Sequence, residues 1–244
     1  YSIPEGTSRT VRQSMEDVMT ACRIDYTKAI DGAYVGLKMK HRLAVLDIKA
    51  MSIVDAKSLK KYLTDNGQAA NFADDATVMV NITNIRLKLS EIKKGAKFPL
   101  NTEKDSEGKV EPLEYSKKTD GSIDTYKNIE YTGFNGATGD NAIPYFQKES
   151  DIKELVGADE KLILIPQPET ITATLSFDYE ILCGETKIDY VSGSHSSETD
   201  IEGLAEGVYH YLLITVAKSG VAVKAVVVQD SWDGKDKTID HEFN

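Results

Sequence analysis

The stretch ITATLSFDYEILC, residues 171–183, decides the fold class of this chain. Its odd positions from Ile171 to Cys183 are apolar or aromatic, and its even positions from Thr172 to Glu180 are polar. Side chains alternate between the two faces of a strand, whereas a helix would spread these apolar residues around its axis. The stretch therefore predicts one strand with a buried face, spanning on the order of 40 Å.

The residues after this strand also carry β signals. Apolar and aromatic residues fill 208–217, Lys218-Ser219-Gly220 reads as a turn, and β-branched residues dominate 221–228. Two such runs around a short turn predict a β-hairpin. Alternation resumes in the tail at Ile239, His241 and Phe243, which we interpret as a further terminal strand.

The first part of the chain predicts strands and two short helices. Residues 43–50 are strand-like, and the alternation of residues 78–89 slips by one position near Asn84, which indicates a β-bulge. A helix is predicted over 56–64, with Asp55 as its N-cap and Gly67 beyond its end. A second helix is predicted over 152–156.

The polar content of the chain suggests a division into two domains. Residues 93–124 and 132–141 have little apolar content and are expected to form long surface loops. Helix and loop signals give way to long strands near 159–161. We therefore predict an N-terminal β-sandwich domain over 1–160 and a C-terminal β-sandwich domain over 161–244.

Composition excludes several classes of function. The chain has 244 residues and a net charge of −10, which repels phosphate backbones and argues against nucleic-acid binding. No run reaches the roughly 18 apolar residues of a membrane-spanning helix. The chain is long enough to bury a core without a disulfide framework, and its two cysteines, Cys22 and Cys183, form no CxxC pair.

No motif points to catalysis, a metal or a cofactor. The four histidines show no metal-ligand spacing: His195 reads as part of a loop, and His41 and His210 as edge or hydrogen-bonded core residues. The aspartates at 230, 233 and 236 lack the spacing of an EF-hand and read as a solvated turn. We therefore predict no enzyme activity and no cofactor, and we keep a hydrolase with scattered carboxylates as a remote alternative.

Several segments, in this order along the chain, resemble the fimbrillin-like family of Bacteroidales. The family's acidic "DLM-x-A" segment, its "V-x-L-x-F-x-H-x-L-A" segment, its "L-x-L-I-P-Q" step and its closing "G-x-x-Y-x-Y … W" pattern have counterparts here. These are EDVMTA at 16–21, VGLKMKHRLA at 35–44, LILIPQ at 162–167, and GVYHY at 207–211 with Trp232. Met39 stands where the family usually has Phe.

The resemblance implies a fold and a function. The family has two tandem transthyretin-like β-sandwich domains and consists of exported lipoproteins that build or decorate type V pili on the outer surface. It implies no catalytic residue, metal or cofactor. The expected partners are other pilus subunits and a surface ligand. The expected location is the extracellular face of the outer membrane, with a lipid anchor upstream of this chain.

The resemblance also implies a way to assemble. In the family a protease cuts after an arginine and removes an N-terminal strand, and a strand from the next subunit fills the groove. Arg9 and Arg12 lie in a polar stretch before the first strand and are the candidate cleavage sites, or else ordinary surface charges. Ile239, His241 and Phe243 are candidates for the terminal strand that contacts the next subunit, or else the last strand of their own sandwich.

A carbohydrate-binding surface module is the alternative function. It requires aromatic side chains on an exposed platform, because sugar rings pack against aromatic faces. The nearest candidates are Tyr126, Tyr131, Phe134, Tyr145 and Phe146.

Overall fold

The protein is seen here as a computed structural model, which describes residues 1–3, 15, 18–20, 40–99, 112–157 and 160–228. The chain is all-β with one α-helix in these ranges. The elements in chain order are β1 (Met19–Thr20), β2 (Lys40–His41), β3 (Ala44–Ser52), α1 (Ala56–Asp65), β4 (Val78–Lys93), β5 (Ala96–Lys97), β6 (Glu114–Tyr115), β7 (Thr125–Tyr131), β8 (Ile143–Pro144), β9 (Lys153–Glu154), β10 (Leu162–Leu164), β11 (Ile171–Cys183), β12 (Thr186–Lys187), β13 (Gly193–Ile201), β14 (Tyr209–Ala217) and β15 (Gly220–Val228). Short 3₁₀ helices occur at Gly139–Asn141, Glu149–Asp151 and Asp189–Val191.

A five-stranded sheet forms one layer of the fold. Its order is β10-β3-β14-β15, with β9 also paired to β3. The hairpin of β14 and β15 is antiparallel, as predicted, and its register runs from Ala217 opposite Gly220 to Tyr209 opposite Val228. The pairing of β3 with β14 is parallel. The central strand β3 is therefore enclosed by strands from much later in the chain.

A six-stranded sheet forms the opposing layer. Its order is β12-β11-β4-β7, with β13 paired to β11 and β8 paired to β4. The predicted long strand is confirmed as β11, and its burial alternates along the strand as the sequence indicated. Side chains from both sheets, among them Leu46, Ile214, Leu87 and Leu175, belong to one buried cluster. The two sheets thus pack their apolar faces together as a sandwich.

The predicted bulge near Asn84 is confirmed. Asn84 has φ of 53°, and the register between β4 and β11 shifts between Ser176 and Asp178. Asparagine tolerates this left-handed conformation better than most residues. The extra residue lets β4 keep its apolar side chains on the buried face on both sides of the shift.

The predicted helix over 56–64 is also confirmed. It spans Ala56–Asp65, and the Asp55 side chain caps it by accepting a hydrogen bond from the Ser58 backbone N–H at 2.8 Å. This bond lowers the pKa of Asp55. Leu59 and Leu63 face the core at i, i+4 spacing.

The predicted helix over 152–156 is wrong. A 3₁₀ helix covers Glu149–Asp151, and Lys153–Glu154 then pairs as β9 with β3. Leu155 donates its backbone N–H to the Ile48 carbonyl at 2.9 Å. Five residues are too few to nucleate a stable helix, and pairing with β3 satisfies their backbone groups instead.

The predicted loop around His195 is wrong as well. His195 lies in β13, opposite Phe177 of β11. The Gly- and Ser-rich composition suggested a loop, but one face of this edge strand is open to water and accepts small polar side chains. The division into domains 1–160 and 161–244 stays a prediction. Both larger sheets combine strands from the two sides of residue 160, which does not favour it.

Candidate functional site

The outer edge of β15 is the candidate interface of this protein. Among the described residues, β15 pairs only with β14 and forms the end of the five-stranded sheet. A strand at such an end presents unpaired backbone N–H and C=O groups along one side. The edge can therefore accept a further strand from another segment or another chain.

An apolar row of side chains accompanies this open edge. Val221, Val223 and Ala225 are half-buried and pack against the core between the two sheets. Val227 continues the same alternation toward the end of the strand and is 47 % exposed. We call these four residues the inner row. Apolar side chains that remain partly accessible at a sheet edge favour an additional strand that would cover them.

The facing edge of the other sheet is polar. β13 is an edge strand among the described residues and lies in contact with β15 without pairing to it. In this part of the chain, His195 Nε2 and Ser197 Oγ are buried without a hydrogen-bond partner. Unpaired buried polar atoms are costly, so β13 has hydrogen-bonding capacity left to satisfy.

A groove of about 530 Å³ opens at the Val227 end of β15. His210 lies opposite Val227 in the β14–β15 register and lines the groove, together with Leu204, Pro168 and Gln167. His210 is 3 % exposed, and among the described residues neither of its ring nitrogens has a hydrogen-bond partner. Of the two positions expected for it, sheet edge or core, His210 therefore occupies the core, without a hydrogen-bond partner among the described residues.

Burial controls the charge of His210. It lowers the pKa of the imidazole to about 4, so the ring is neutral at physiological pH. A neutral imidazole has one donor and one acceptor nitrogen. His210 thus adds a neutral polar group to a groove whose lining also includes Gln167 and Glu202.

Gln167 fixes the wall of the groove. Its side-chain carbonyl accepts the Lys93 backbone N–H at 3.0 Å, and its Nε2 donates to the Glu91 carbonyl at 3.1 Å. Its backbone exchanges hydrogen bonds with Leu204 at 2.9 and 2.7 Å. These bonds join the segment before β11 to the end of β4 and to the loop after β13. Sequence reasoning did not identify Gln167 as a structural anchor, since only the contacts reveal it.

The sequence-predicted interface residues lie outside the described residues. This holds for Arg9 and Arg12, the candidate cleavage sites, and for Ile239, His241 and Phe243, the candidate terminal strand. The aspartates at 230, 233 and 236 also lie there. The edge, the inner row and the groove were not predicted, because they depend on which strand ends the sheet.

The five aromatic residues suggested for a carbohydrate platform do not form one. Tyr131 is fully buried, while Tyr126, Phe134 and Phe146 are half-buried and pack against the interior. Only Tyr145 of these five is exposed, at 39 %. Alternation along β7 turns Tyr131 into the core, which the sequence reading did not consider.

The described residues show few other features that could bind a metal, cross a membrane or react. They contain no group of three or more His, Cys, Asp or Glu side chains that could hold a metal ion. Within the same ranges, no helix has the length and apolar content needed to cross a membrane. Cys183 is a buried free thiol whose pKa is raised by burial.

Comparisons with known proteins give structural matches only. No family model and no curated protein matches the sequence. A fimbrial protein from Bacteroides vulgatus ATCC 8482 aligns with 80 % of this chain and 56 % of its own length, at 13 % identity and a TM-score of 0.45.

Two candidate cell adhesion proteins are also similar. The one from Bacteroides uniformis ATCC 8492 has 15 % identity and a TM-score of 0.36, over 81 % of this chain and 53 % of its own. The one from Bacteroides ovatus ATCC 8483 has 12 % identity and a TM-score of 0.34, over 79 % and 46 %. This chain therefore spans about half the length of each of these proteins.

Proposed function

We propose that this protein is a structural or adhesive subunit of a cell-surface fimbria, and that subunits join by β-strand addition at the edge of β15. The observation that carries the proposal is the open edge with its inner row of Val221, Val223, Ala225 and Val227. An incoming strand would pair with the backbone of β15 and cover these side chains at the same time. The ordered sequence resemblance to the fimbrillin-like family supports the same function.

The proposed donor strand is the tail with Ile239, His241 and Phe243. As a strand, this tail would carry the three side chains on one face, at every second residue. The inner row has the same spacing. A tail of one subunit that binds the β15 edge of the next makes a head-to-tail contact. Such a contact does not close on itself and generates a filament.

Removal of an N-terminal segment is the proposed trigger. Cleavage after Arg9 or Arg12 would release Tyr1 and Ile3, which bond to the backbone of residues 94–96, and we propose that this release lets the donor strand bind. We further propose that the protein lies outside the cell at the outer membrane surface and that its partners are other pilus subunits. It assigns the molecule no catalytic role.

The test is a comparison of trimmed and untrimmed protein. A chain that starts after Arg12 should form end-to-end polymers in electron micrographs, while the full chain stays monomeric. The matched control is a trimmed chain that also lacks residues 237–244, which should stay monomeric because it has no donor. If the trimmed chain with its tail remains monomeric at high concentration, strand addition by this mechanism is wrong.

A carbohydrate-binding module is the second candidate function. The surface around Tyr190, away from the five aromatic residues suggested by the sequence, favours it. Tyr190 is 50 % exposed and packs at a tilt against Tyr62, with 6.4 Å between ring centroids. A cleft of about 400 Å³ beside Tyr190 also contains Gln68 and Asn71, whose amides could bond sugar hydroxyls. Glycan-array binding that the Tyr190→Ala change abolishes would support this function, and an array without any signal would contradict it.

A further inference from the structure

A lysine and a buried carboxyl group meet across two strands of the five-stranded sheet. The register of Leu162 opposite Leu46 brings Lys161, the residue before β10, next to Asp47 of β3. Lys161 Nζ lies 3.3 Å from Asp47 Oδ2. The Asp47 side chain is fully buried and that of Lys161 is 17 % exposed. The two groups are thus in contact where little water reaches them.

The surroundings of Asp47 are apolar and aromatic. Asp47 lies on the face of β3 that carries a second buried cluster, which includes Val45, Met51, Tyr209 and Tyr211. Burial raises the pKa of Asp47, which favours the neutral carboxylic acid. A neutral carboxyl group is the form that an amine can attack.

Both carboxyl oxygens of Asp47 are held by donors. The backbone N–H of Ile48 donates to Oδ1 at 2.6 Å, and the Tyr209 hydroxyl donates to Oδ2. Lys161 Nζ also lies 3.2 Å from the Tyr209 hydroxyl oxygen. These contacts fix the carboxyl group beside the amine, and a fixed orientation is the largest requirement of an intramolecular reaction.

A second carboxyl group lies beside the same amine. Glu154 of β9 has its Oε1 3.9 Å from Lys161 Nζ. Glu154 and Lys161 lie on the same side of β3, because β9 and β10 pair with successive parts of that strand. A small side-chain movement or one bridging water would let Glu154 accept a proton from the amine and return it to a leaving group.

We propose that Lys161 and Asp47 condense to an intramolecular isopeptide bond, with Glu154 as the proton carrier. In the ion pair, the ammonium group gives one proton to the carboxylate, which leaves a neutral amine and a carboxylic acid. The amine nitrogen attacks Cγ of Asp47, and Ile48 N–H stabilises the negative charge that develops on Oδ1. Glu154 takes a second proton from nitrogen and returns it to Oδ2.

The step balances without any oxidant or co-reactant. The bond from Cγ to Oδ2 breaks and Oδ2 leaves as water, while one N–C bond forms. The amide nitrogen keeps one hydrogen, and Glu154 ends in its starting state. The product replaces a buried ion pair, which is a poor source of stability, by a neutral amide.

The bond would join β10 covalently to β3. It would close the chain between residues 47 and 161, so the two strands could not separate when the ends of the protein are pulled. The bond would lie in the interior of one subunit and would form whether or not subunits assemble.

Intact-mass spectrometry of the purified chain tests the inference. We expect a mass lower than the sequence mass by one water molecule, and a tryptic digest in which one branched peptide contains both Asp47 and Lys161. The Lys161→Arg variant keeps the charge but has no reactive amine, so its mass should equal the sequence mass. Its circular dichroism should match that of the parent.

Two further variants make the assignment specific. Lys49→Arg alters the neighbouring lysine, which contacts Glu154 at 3.7 Å, and should leave the loss of water intact. Glu154→Gln should slow the appearance of the linked form by about 10²-fold or more in a refolding time course. A parent chain at its full sequence mass would overturn the inference, as would a loss of water that persists in Lys161→Arg.

Discussion

Asn84 Nδ2 donates a hydrogen bond to Asp178 Oδ2 at 2.6 Å, across the shift in register between β4 and β11. Asn84 also has the positive φ that this bulge requires. The Asn84→Val change should destabilise the fold by about 1–3 kcal/mol, because a β-branched side chain is strained in the left-handed region. Urea denaturation measures this change.

Two variants separate strain from the lost hydrogen bond. Asp178→Ala removes this bond, and with it the bond that Asp178 Oδ1 accepts from the Ser194 hydroxyl, without touching the backbone, and should cost only about 0.5–1.5 kcal/mol. Asn84→Gly removes the same bond but accepts the positive φ, so it should lie near Asp178→Ala. If Asn84→Val were no more destabilising than Asp178→Ala, the bulge would not depend on the conformation of residue 84.

The buried histidine predicts a dependence of stability on pH. The pKa of His210 is lowered to about 4 in the folded chain, against roughly 6.5 when unfolded. Between these values the unfolded state binds more protons, so the free energy of unfolding should fall as the pH drops from 6.5 to 4. The loss attributable to His210 should be roughly 2–3 kcal/mol.

A substitution isolates this effect. His210→Leu fills the same space in the groove with an apolar side chain and removes the group that titrates. The stability difference between the parent and this variant should therefore change with pH over 4–7, as followed by urea denaturation at several pH values. A difference that stays constant over this range would mean that His210 is not the group responsible.

The alternation of β11 predicts contrasting effects at neighbouring positions. Leu175 is fully buried between the sheets, and Leu175→Ala should cost about 2–5 kcal/mol through lost burial and a cavity. Thr174 points to the opposite face, so Thr174→Ala should cost less than about 1 kcal/mol. Equal losses in thermal or urea unfolding would contradict the assignment of faces.

The inner row predicts a selective effect on assembly. Val227 is nearly half exposed, so Val227→Lys should leave the fold intact while it places a charge where the donor strand would pack. Ala222 is exposed on the opposite face of β15 and provides the matched control. In the chain trimmed after Arg12, Val227→Lys should reduce polymer formation at least about tenfold, equivalent to about 1.4 kcal/mol.

Sedimentation velocity measures the polymer fraction of these two variants. Ala222→Lys should polymerise like the trimmed parent. Equal polymerisation of both lysine variants would show that contact with the inner row does not contribute to assembly.

Local sequence patterns predicted those strands and helices that are determined by residues close to one another in the chain. The period of two along 171–183 and the Asp55 cap of α1 needed no knowledge of distant residues, and both are confirmed. The segment 152–156 was misread because its conformation depends on pairing with β3, which lies about a hundred residues earlier. His195 was misread because a polar edge strand and a loop have similar composition.

The candidate interface could not be predicted from local sequence patterns. Val227 belongs to a predicted strand, but only the strand order makes that strand the end of a sheet. The same holds for His210, whose burial arises from the groove that Gln167 and Leu204 help to form. To predict such features, one must know which distant segments pair, and residue spacing in the sequence does not tell this.

The parallel pairing of β3 with β14 constrains when this protein can fold. Asp47 and Tyr209, which contact each other across these strands, are 162 residues apart in the chain. Contacts between such distant residues slow folding, because a long loop must close before they form. A nascent chain that ends before β14 leaves β3 without that neighbour. The five-stranded sheet can therefore assemble only after the residues of β14 have been made, and until then the apolar side chains of β3 lack the strand that covers them and are open to aggregation.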